Sequence, residues 1–395
     1  MTFSSLKLGV VRISLWATLF FIISVIYARG YVNGGVPKWV VIHAAALVAA
    51  VAYVKEGWRW HWPLIALVAY GGMSLLWSPD WRAGGLYFER WLALSILCLA
   101  WARWGGFLPE ICTLSLVAVL GMAAFVPEYN GSFGNENFAA EYALLCLPFA
   151  GWAVYQRRGV VRWCAALSLA ASLVYLLVFN DSKLEYPAFY GFILCFLLWK
   201  RWWVRSALWI LIPINLIVYF RAEFMQIFWP NLVARIELWV PAIKMWLAHP
   251  IFGTGLGGFD YWFFKYWERL PIGSSMGPLN YPGAAHNEYF DFLAQFGLVG
   301  VALGVWLLWS VRSTMGLWML AACSMFGFPL QVPGTAFLGA IFLGESLRQR
   351  RLSCSQTRSD GQWRPTRSGM STATSSTMPA TPRKGWFPTM RLWRT

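Results

Sequence analysis

Two side chains that stand far apart in the sequence could do chemistry, one by accepting a proton and the other by binding phosphate oxygens. His286 directly precedes Asn287, which can cap a helix. Because a helix N-terminus disfavours the imidazolium ion, His286 would be neutral and able to accept a proton. Arg235 carries a planar fork of donors that fits the oxygens of a phosphate or diphosphate. Polar anchoring at a membrane edge stays open as the alternative for both side chains.

A second polar pair lies in the segment FGNENFAAEY, residues 133–142. Asn135 can cap the helix that follows, and capping explains its presence. Asn137 and Glu141, four residues apart, would share one helical face just inside the membrane, which capping does not explain. Ionisable groups inside a membrane tend to be functional, so we expect this pair to face a substrate. The alternative is the ordinary polarity of loops.

The glycine-rich segment HPIFGTGLGGF, residues 249–259, superficially matches a dinucleotide-binding fingerprint. No strand is predicted before it and no βαβ unit surrounds it, so we discard nucleotide binding. Its glycines predict a tight turn or a close backbone approach. The seven cysteines lie mostly within apolar runs without ligand spacing, so we expect neither a metal site nor disulfides.

The elements that position these residues are predicted to be membrane helices. Of 395 residues, 58% are hydrophobic and 12% are charged, which excludes an ordinary soluble domain. The predicted fold class is an all-α integral membrane protein with about 12 transmembrane helices. Apolar runs place these spans at 13–28, 38–54, 62–78, 86–102, 111–127, 138–155, 162–180, 185–199, 205–220, 288–310, 314–328 and 333–347.

Charge asymmetry orients these spans. Lysines and arginines favour the turns on the side of the N-terminus, which predicts that both termini are cytoplasmic. Lys38 and Arg90 are assigned to short outer turns. The long connection of about 221–287 is then external, and Ile236, Trp239, Val240, Ile243 and Leu247 predict an amphipathic helix within it, lying at the membrane surface and bent at Pro241.

Two regions follow from this organisation: a polytopic membrane domain over 1–352 and a basic, disordered cytoplasmic tail over 353–395. The net charge of +15 is explained by topology, the tail and contact with anionic membrane lipids. Without a basic folded module, we expect no nucleic-acid partner.

The order of motifs resembles the O-antigen ligase superfamily. These motifs are SLLWSPD, FGNENFAAEYALLCLPF, the pair Ser182-Lys183, RIELWVPAIKMWLAHPIFGTGLGGF and HNEYFDFLAQFGLVG. The resemblance implies a polytopic glycosyltransferase of the bacterial inner membrane. Such an enzyme moves a glycan from an undecaprenyl-diphosphate carrier to an acceptor lipid, glycan or protein on the outer side.

The resemblance also implies roles for individual residues. His286 matches the family's catalytic histidine, and Arg235 matches the arginine that opens the loop motif. Lys183 falls where an arginine usually follows serine, and it would bind phosphate only as a point charge. Arg221 is a second candidate for diphosphate binding, while Asn137 and Glu141 would bind sugar hydroxyls. A diphosphate leaves readily when cations neutralise it, so we expect no metal ion and no other cofactor.

Other functions stay open at this point. A transporter or permease of the cell envelope would suit the same number of spans, but such proteins usually contain internal repeats with broken helices, which the sequence does not display. A non-catalytic scaffold would not need a histidine at a helix mouth. Within the superfamily, an O-antigen polymerase is the alternative to a ligase.

Overall fold

A computed structural model describes residues 3–26, 35–56, 61–125, 132–133, 135–176, 222–267 and 283–360. These residues form helices joined by turns, with no strand among them, which confirms the predicted all-α class for this part of the chain. The helices are α1 (Phe3–Val25), α2 (Gly35–Glu56), α3 (Trp62–Met73), α4 (Trp81–Trp104), α5 (Leu108–Phe125), α6 (Glu136–Gln156), α7 (Gly159–Val174), α8 (Ala222–Ala248), α9 (Gly258–Tyr266), α10 (Glu288–Ser310), α11 (Met315–Cys323) and α12 (Pro333–Asp360).

Four described helices are long and apolar enough to cross a membrane: Gly35–Val54, Trp81–Trp104, Asn137–Gln156 and Glu288–Ser310. Shorter apolar helices cover Ile13–Val25, Trp62–Leu76, Leu108–Ala124 and Gly159–Ser172. The total of about 12 spans stays a prediction, and the expected spans 185–199 and 205–220 lie outside the described residues. The expected span 314–328 contains only the nine-residue α11, which at about 1.5 Å per residue is too short to cross alone.

The main core packs α6 and α12 against α1, α2, α4 and α5. Trp101 of α4 is fully buried there, with its ring centroid 5.0 Å from that of Trp16 of α1. Its indole nitrogen donates to a carboxylate oxygen of Glu345 on α12 at 2.9 Å, which satisfies the donor within the core. Phe149 of α6 stacks on Phe342 of α12 with centroids 5.1 Å apart. This bundle supports one side of the candidate site.

Three sequence-based assignments need correction. Lys38 is fully buried in α2 rather than exposed in an outer turn, and its ammonium donates to Ser132 Oγ at 3.0 Å and lies 3.6 Å from the Phe133 ring centroid. Arg90 lies within α4, where its guanidinium packs on aromatic rings. Helix α12 continues to Asp360, past the predicted start of a disordered tail at 353, because neither glycine nor proline occurs between Gly344 and Gly361.

The predicted external connection contains α8 and α9. Helix α8 runs through Pro230 and Pro241, and it packs on α9 and α10 through Leu238, Ala242 and Met245. Of the predicted apolar stripe from Ile236 to Leu247, Trp239 joins this packing, with its ring centroid 5.6 Å from that of Phe290, whereas Leu247 is exposed. The location of this segment outside the membrane stays a prediction.

A break in α10 joins the glycine-rich loop to the helix. At Gly297 the backbone adopts φ 58° and ψ −160°, so the helix's own hydrogen bonds are interrupted. The freed carbonyls of Ala294 and Gln295 accept from the amides of Thr254 and Gly255, both at 2.9 Å. The amides of residues 298 and 299 donate to the carbonyls of residues 250 and 251 at 2.9 and 3.1 Å. The glycines thus permit a close backbone approach, as predicted.

Candidate functional site

The structure brings Arg235 and His286 into direct contact. Nη1 of Arg235 lies 2.9 Å from Nδ1 of His286 and 3.3 Å from the carbonyl oxygen of the same residue. Arg235 projects from α8 and is only 7% exposed, whereas His286 sits in the turn before α10 and is partly buried. The two residues that the sequence singled out, 51 positions apart, therefore form one unit.

The turn at His286 is held by the start of α10. Asn287 caps this helix, because its side-chain oxygen accepts from the amides of Tyr289 and Phe290 at 3.0 and 3.1 Å. His286 itself has φ 50°, which makes it the one non-glycine residue with positive φ among those described. The Phe328 ring packs edge-on against the imidazole, with centroids 4.4 Å apart. The local fold thus fixes the position of the ring.

The protonation state of His286 follows from its burial and from its partner. Burial, and then the nearby Arg235 guanidinium, lower the imidazole pKa to about 3, so the ring is neutral at physiological pH. An arginine has only donors, so Nδ1 must accept the hydrogen bond from Nη1. The ring proton of the neutral imidazole then resides on Nε2.

A buried carboxylate connects this turn to the glycine-rich loop. Asp291, 5% exposed, accepts from the Ala285 amide at 3.3 Å and from the side-chain amides of Gln295 and Gln331 at 2.6 and 3.1 Å. Gln295 in turn accepts from the Gly257 amide at 2.7 Å. Because Ala285 directly precedes His286, Asp291 orders the backbone that presents the imidazole.

The predicted pair Asn137 and Glu141 lies on α6, and Glu141 contacts the turn that contains Gly327 and Phe328. As predicted, Asn135 caps α6, and its side chain accepts from the Asn137 amide at 2.9 Å. A carboxylate oxygen of the buried Glu141 occupies the space where a side chain on Gly327 would lie. The next residue in that turn is Phe328, which packs on His286. Glu141 is therefore connected to His286 through this turn. Two further predicted residues, Lys183 and Arg221, lie outside the described residues.

A cavity of about 280 Å³ lies beside the histidine turn, and the sequence did not predict it. Its polar lining comes from α4, α9, α10 and the turn before α12: Tyr87, Arg90, Ser95, Asp260, Glu288, Asp291, Gln295 and Gln331. Most of the remaining wall is aliphatic or aromatic. Burial, and then the carboxylate of Asp80, raise the pKa of Asp260. The assignment of Arg90 to a turn concealed the signal, because an ionisable residue inside a membrane helix suggests a functional site.

Among the described residues, histidine, cysteine, aspartate and glutamate side chains form no group of three or more that could hold a metal ion. The polar groups of the site are instead a guanidinium, an imidazole, carboxylates and amides. Such groups can bind phosphate oxygens and sugar hydroxyls and can move a proton.

Comparison with known proteins identifies this region. Residues 133–305 match a family model described as O-Antigen ligase. The matched segment contains Arg235, His286, Asn137 and Glu141 together with the glycine-rich loop. No curated protein and no solved structure matches the chain. This match, over less than half of the chain, supports the resemblance to the O-antigen ligase superfamily that the motifs indicated.

Proposed function

We propose that this protein transfers a glycan from an undecaprenyl-diphosphate carrier to an acceptor hydroxyl at the outer face of the bacterial inner membrane. The observation that carries the proposal is the 2.9 Å contact between Arg235 and His286 inside the segment that matches the family. Glycosyl transfer needs a cation for the leaving diphosphate and a base for the attacking hydroxyl, close enough to serve one reaction centre. Arg235 and His286 meet both needs.

The reaction makes one bond and breaks one. The acceptor oxygen attacks the anomeric carbon, and the bond from that carbon to the carrier diphosphate breaks with its electron pair going to the diphosphate. Arg235 neutralises the charge that develops on the leaving group. The hydroxyl proton goes to His286, a transfer worth typically about 10²- to 10⁴-fold in rate. In this proposal Lys183 and Arg221 supply further positive charge to the diphosphate.

The cavity beside the histidine turn supports a sugar-binding role. Carboxylates and amides such as Asp260 and Gln295 accept hydrogen bonds from hydroxyl groups, and aromatic rings such as Tyr87 and Trp91 cover apolar sugar faces. Asn137 and Glu141 act in this proposal on sugar hydroxyls or on the turn that carries Phe328. The aliphatic part of the wall suits the lipid portion of a substrate.

A transporter is the rival function that a specific feature favours, because α10 is a broken helix in a candidate membrane span. In transporters the free backbone groups of such a break bind substrate or ions. Here the four backbone groups around Gly297 are bonded to residues 250–255 instead. These four groups are therefore used within the protein and do not bind a substrate or an ion, which favours glycan transfer over transport.

The experiment that tests this proposal uses the purified full chain in lipid nanodiscs with an undecaprenyl-diphosphate-linked glycan. Candidate acceptors are a lipid A-core, a second carrier-linked glycan and an unstructured peptide rich in serine. We expect one acceptor to gain the glycan mass while undecaprenyl diphosphate is released in equal amount. A lipid acceptor would identify a ligase and a glycan acceptor a polymerase. Release of the carrier product without transfer to any acceptor, or no turnover at all, would contradict the proposal.

A further inference from the structure

We propose that Arg235 masks the basic nitrogen of His286 in the donor-free protein, and that a diphosphate unmasks it by drawing the guanidinium away. This inference rests on the proposed function, because it concerns the order of events at the same site. It makes Arg235 a switch as well as a ligand. The acceptor hydroxyl can then be deprotonated only when a donor is in place.

The masking follows from hydrogen-bond chemistry. Nη1 of Arg235 donates to Nδ1 of His286 at 2.9 Å, which uses the free lone pair of that nitrogen. The other ring nitrogen, Nε2, carries the proton of the neutral imidazole. In this arrangement neither nitrogen of His286 can accept a proton from a hydroxyl. The contact that identifies the site is therefore incompatible with a base until it opens.

A diphosphate is the chemical group best suited to open this contact. Imidazole offers Arg235 one neutral acceptor atom, whereas a diphosphate offers several charged oxygens that a guanidinium can bind with two parallel hydrogen bonds. The hydrogen bond to the imidazole has a charge on the donor alone, whereas a hydrogen bond to a diphosphate oxygen joins two opposite charges and gains their Coulomb attraction. Because Arg235 is only 7% exposed, water screens this attraction little. The guanidinium should therefore leave the imidazole for the diphosphate.

The same movement makes His286 a better base. The Arg235 guanidinium is one of the two causes that lower the imidazole pKa to about 3, the larger cause being burial. When the guanidinium turns to a diphosphate, its charge is neutralised and this cause disappears, so the pKa rises. Donor binding would thus expose Nδ1 and increase its proton affinity together.

The surrounding structure permits this change without refolding. The backbone at His286 is held independently of Arg235, by the Asn287 cap and by the hydrogen bond from the Ala285 amide to Asp291. Phe328 packs against the ring and limits its rotation. Release therefore needs only a side-chain movement of Arg235, and the imidazole stays where the acceptor hydroxyl must arrive.

The test follows the ring nitrogens of His286 directly, without measuring transfer. The full chain, labelled with ¹⁵N-histidine in lipid nanodiscs, contains four histidines, and the spectrum of His286→Asn assigns the signals of His286. Asparagine is chosen because it tolerates positive φ, whereas most residues do not. Inorganic diphosphate and farnesyl diphosphate are added separately, and ³¹P spectra of the same samples report their binding. The farnesyl arm tests whether a lipid chain is needed.

We expect the Nδ1 signal of His286 to shift from that of a hydrogen-bonded acceptor to that of a free nitrogen when a diphosphate binds. The signals of His249 should not move. In Arg235→Met the Nδ1 signal should have the free position without any ligand and should not respond to diphosphate. Arg235→Lys provides a second variant that keeps the charge, and its Nδ1 signal should lie nearer the free position than in the wild type.

Three outcomes would overturn the masking. If a diphosphate binds and the Nδ1 signal does not shift, unmasking is wrong while the proposed transfer is unaffected. If the Nδ1 signal of folded Arg235→Met equals that of the wild type, Arg235 does not mask the nitrogen, and a signal in Arg235→Met that still responds to diphosphate contradicts the masking as well. If neither diphosphate binds, the masking fails together with the donor assignment on which it rests.

Discussion

Replacing Gly297 by alanine should damage both stability and the candidate site. A Cβ at this position would lie 2.5 Å from the Ile251 carbonyl oxygen and 2.6 Å from the Gly253 amide nitrogen, so backbone must move. The φ of 58° with ψ of −160° belongs to a region that only glycine adopts readily, at a cost of about 1 to 3 kcal/mol for other residues. Separation of the loop would also lose hydrogen bonds worth about 0.5 to 1.5 kcal/mol each.

We therefore expect Gly297→Ala to lower the free energy of unfolding by about 3 kcal/mol or more, which corresponds to an apparent Tm lower by about 4 °C or more. The intrinsic fluorescence of the 27 tryptophans reports thermal unfolding in detergent. Transfer should also fall, because residues 253–258 are linked to His286 through Gln295 and Asp291.

Gly304→Ala is the matched control on the same helix. Its Cβ would meet only the Phe292 ring at 3.8 Å, an ordinary contact, and alanine favours a helix by up to about 1 kcal/mol over glycine. This variant should unfold at or above the wild-type Tm. If Gly297→Ala is as stable and active as Gly304→Ala, the break does not bind the loop in the way described.

Three further predictions concern the site and its location. Asp291 accepts hydrogen bonds from three donors, and Asp291→Asn would place an amide donor against at least one of them. We therefore expect the free energy of unfolding to fall by about 1.5 to 3 kcal/mol and hydrogen exchange to become faster in the turn before α10. Unchanged exchange would contradict the positioning role of Asp291. Gly327→Ala should reduce transfer because its methyl group would displace the Glu141 carboxylate, and equal activity would show that this contact is dispensable. Ser274→Cys should react with an impermeant thiol reagent in intact spheroplasts, whereas labelling only after lysis would reverse the predicted orientation.

Several features could be predicted from residue types alone. The N-caps at Asn135 and Asn287 follow from local chemistry, and the structure confirms both. Membrane helices follow from long apolar runs, although the structure tests only some of the expected spans. Arg235 and His286 could be selected because arginine and histidine in membrane-edge motifs suggest binding and proton transfer. Their contact could not be predicted, since it depends on how α8 packs against the turn before α10.

Other features were missed because a simpler explanation sufficed. A negative charge is favourable in the first turn of a helix, and this alone explains an aspartate at position 291. The sequence therefore does not predict the hydrogen bonds of Asp291 with Ala285 and two glutamines. Charges usually mark the ends of spans, which predicts turns at Lys38 and Arg90, yet both lie within helices. The break at Gly297 leaves no mark in the apolar pattern of α10, because the helix resumes after one residue. Such features depend on tertiary contacts.

The most direct test of the central claim compares two histidine variants in the purified transfer assay. His286→Asn should bind the carrier-linked glycan normally and lose about 10²- to 10⁴-fold in transfer rate, because it removes the proton acceptor and retains a residue that tolerates positive φ. His249→Asn, at the end of α8, is the matched control and should transfer at the wild-type rate. Equal membrane insertion and Tm must accompany both measurements. If folded His286→Asn transfers glycan as fast as His249→Asn, His286 is not the base and the proposed mechanism is wrong.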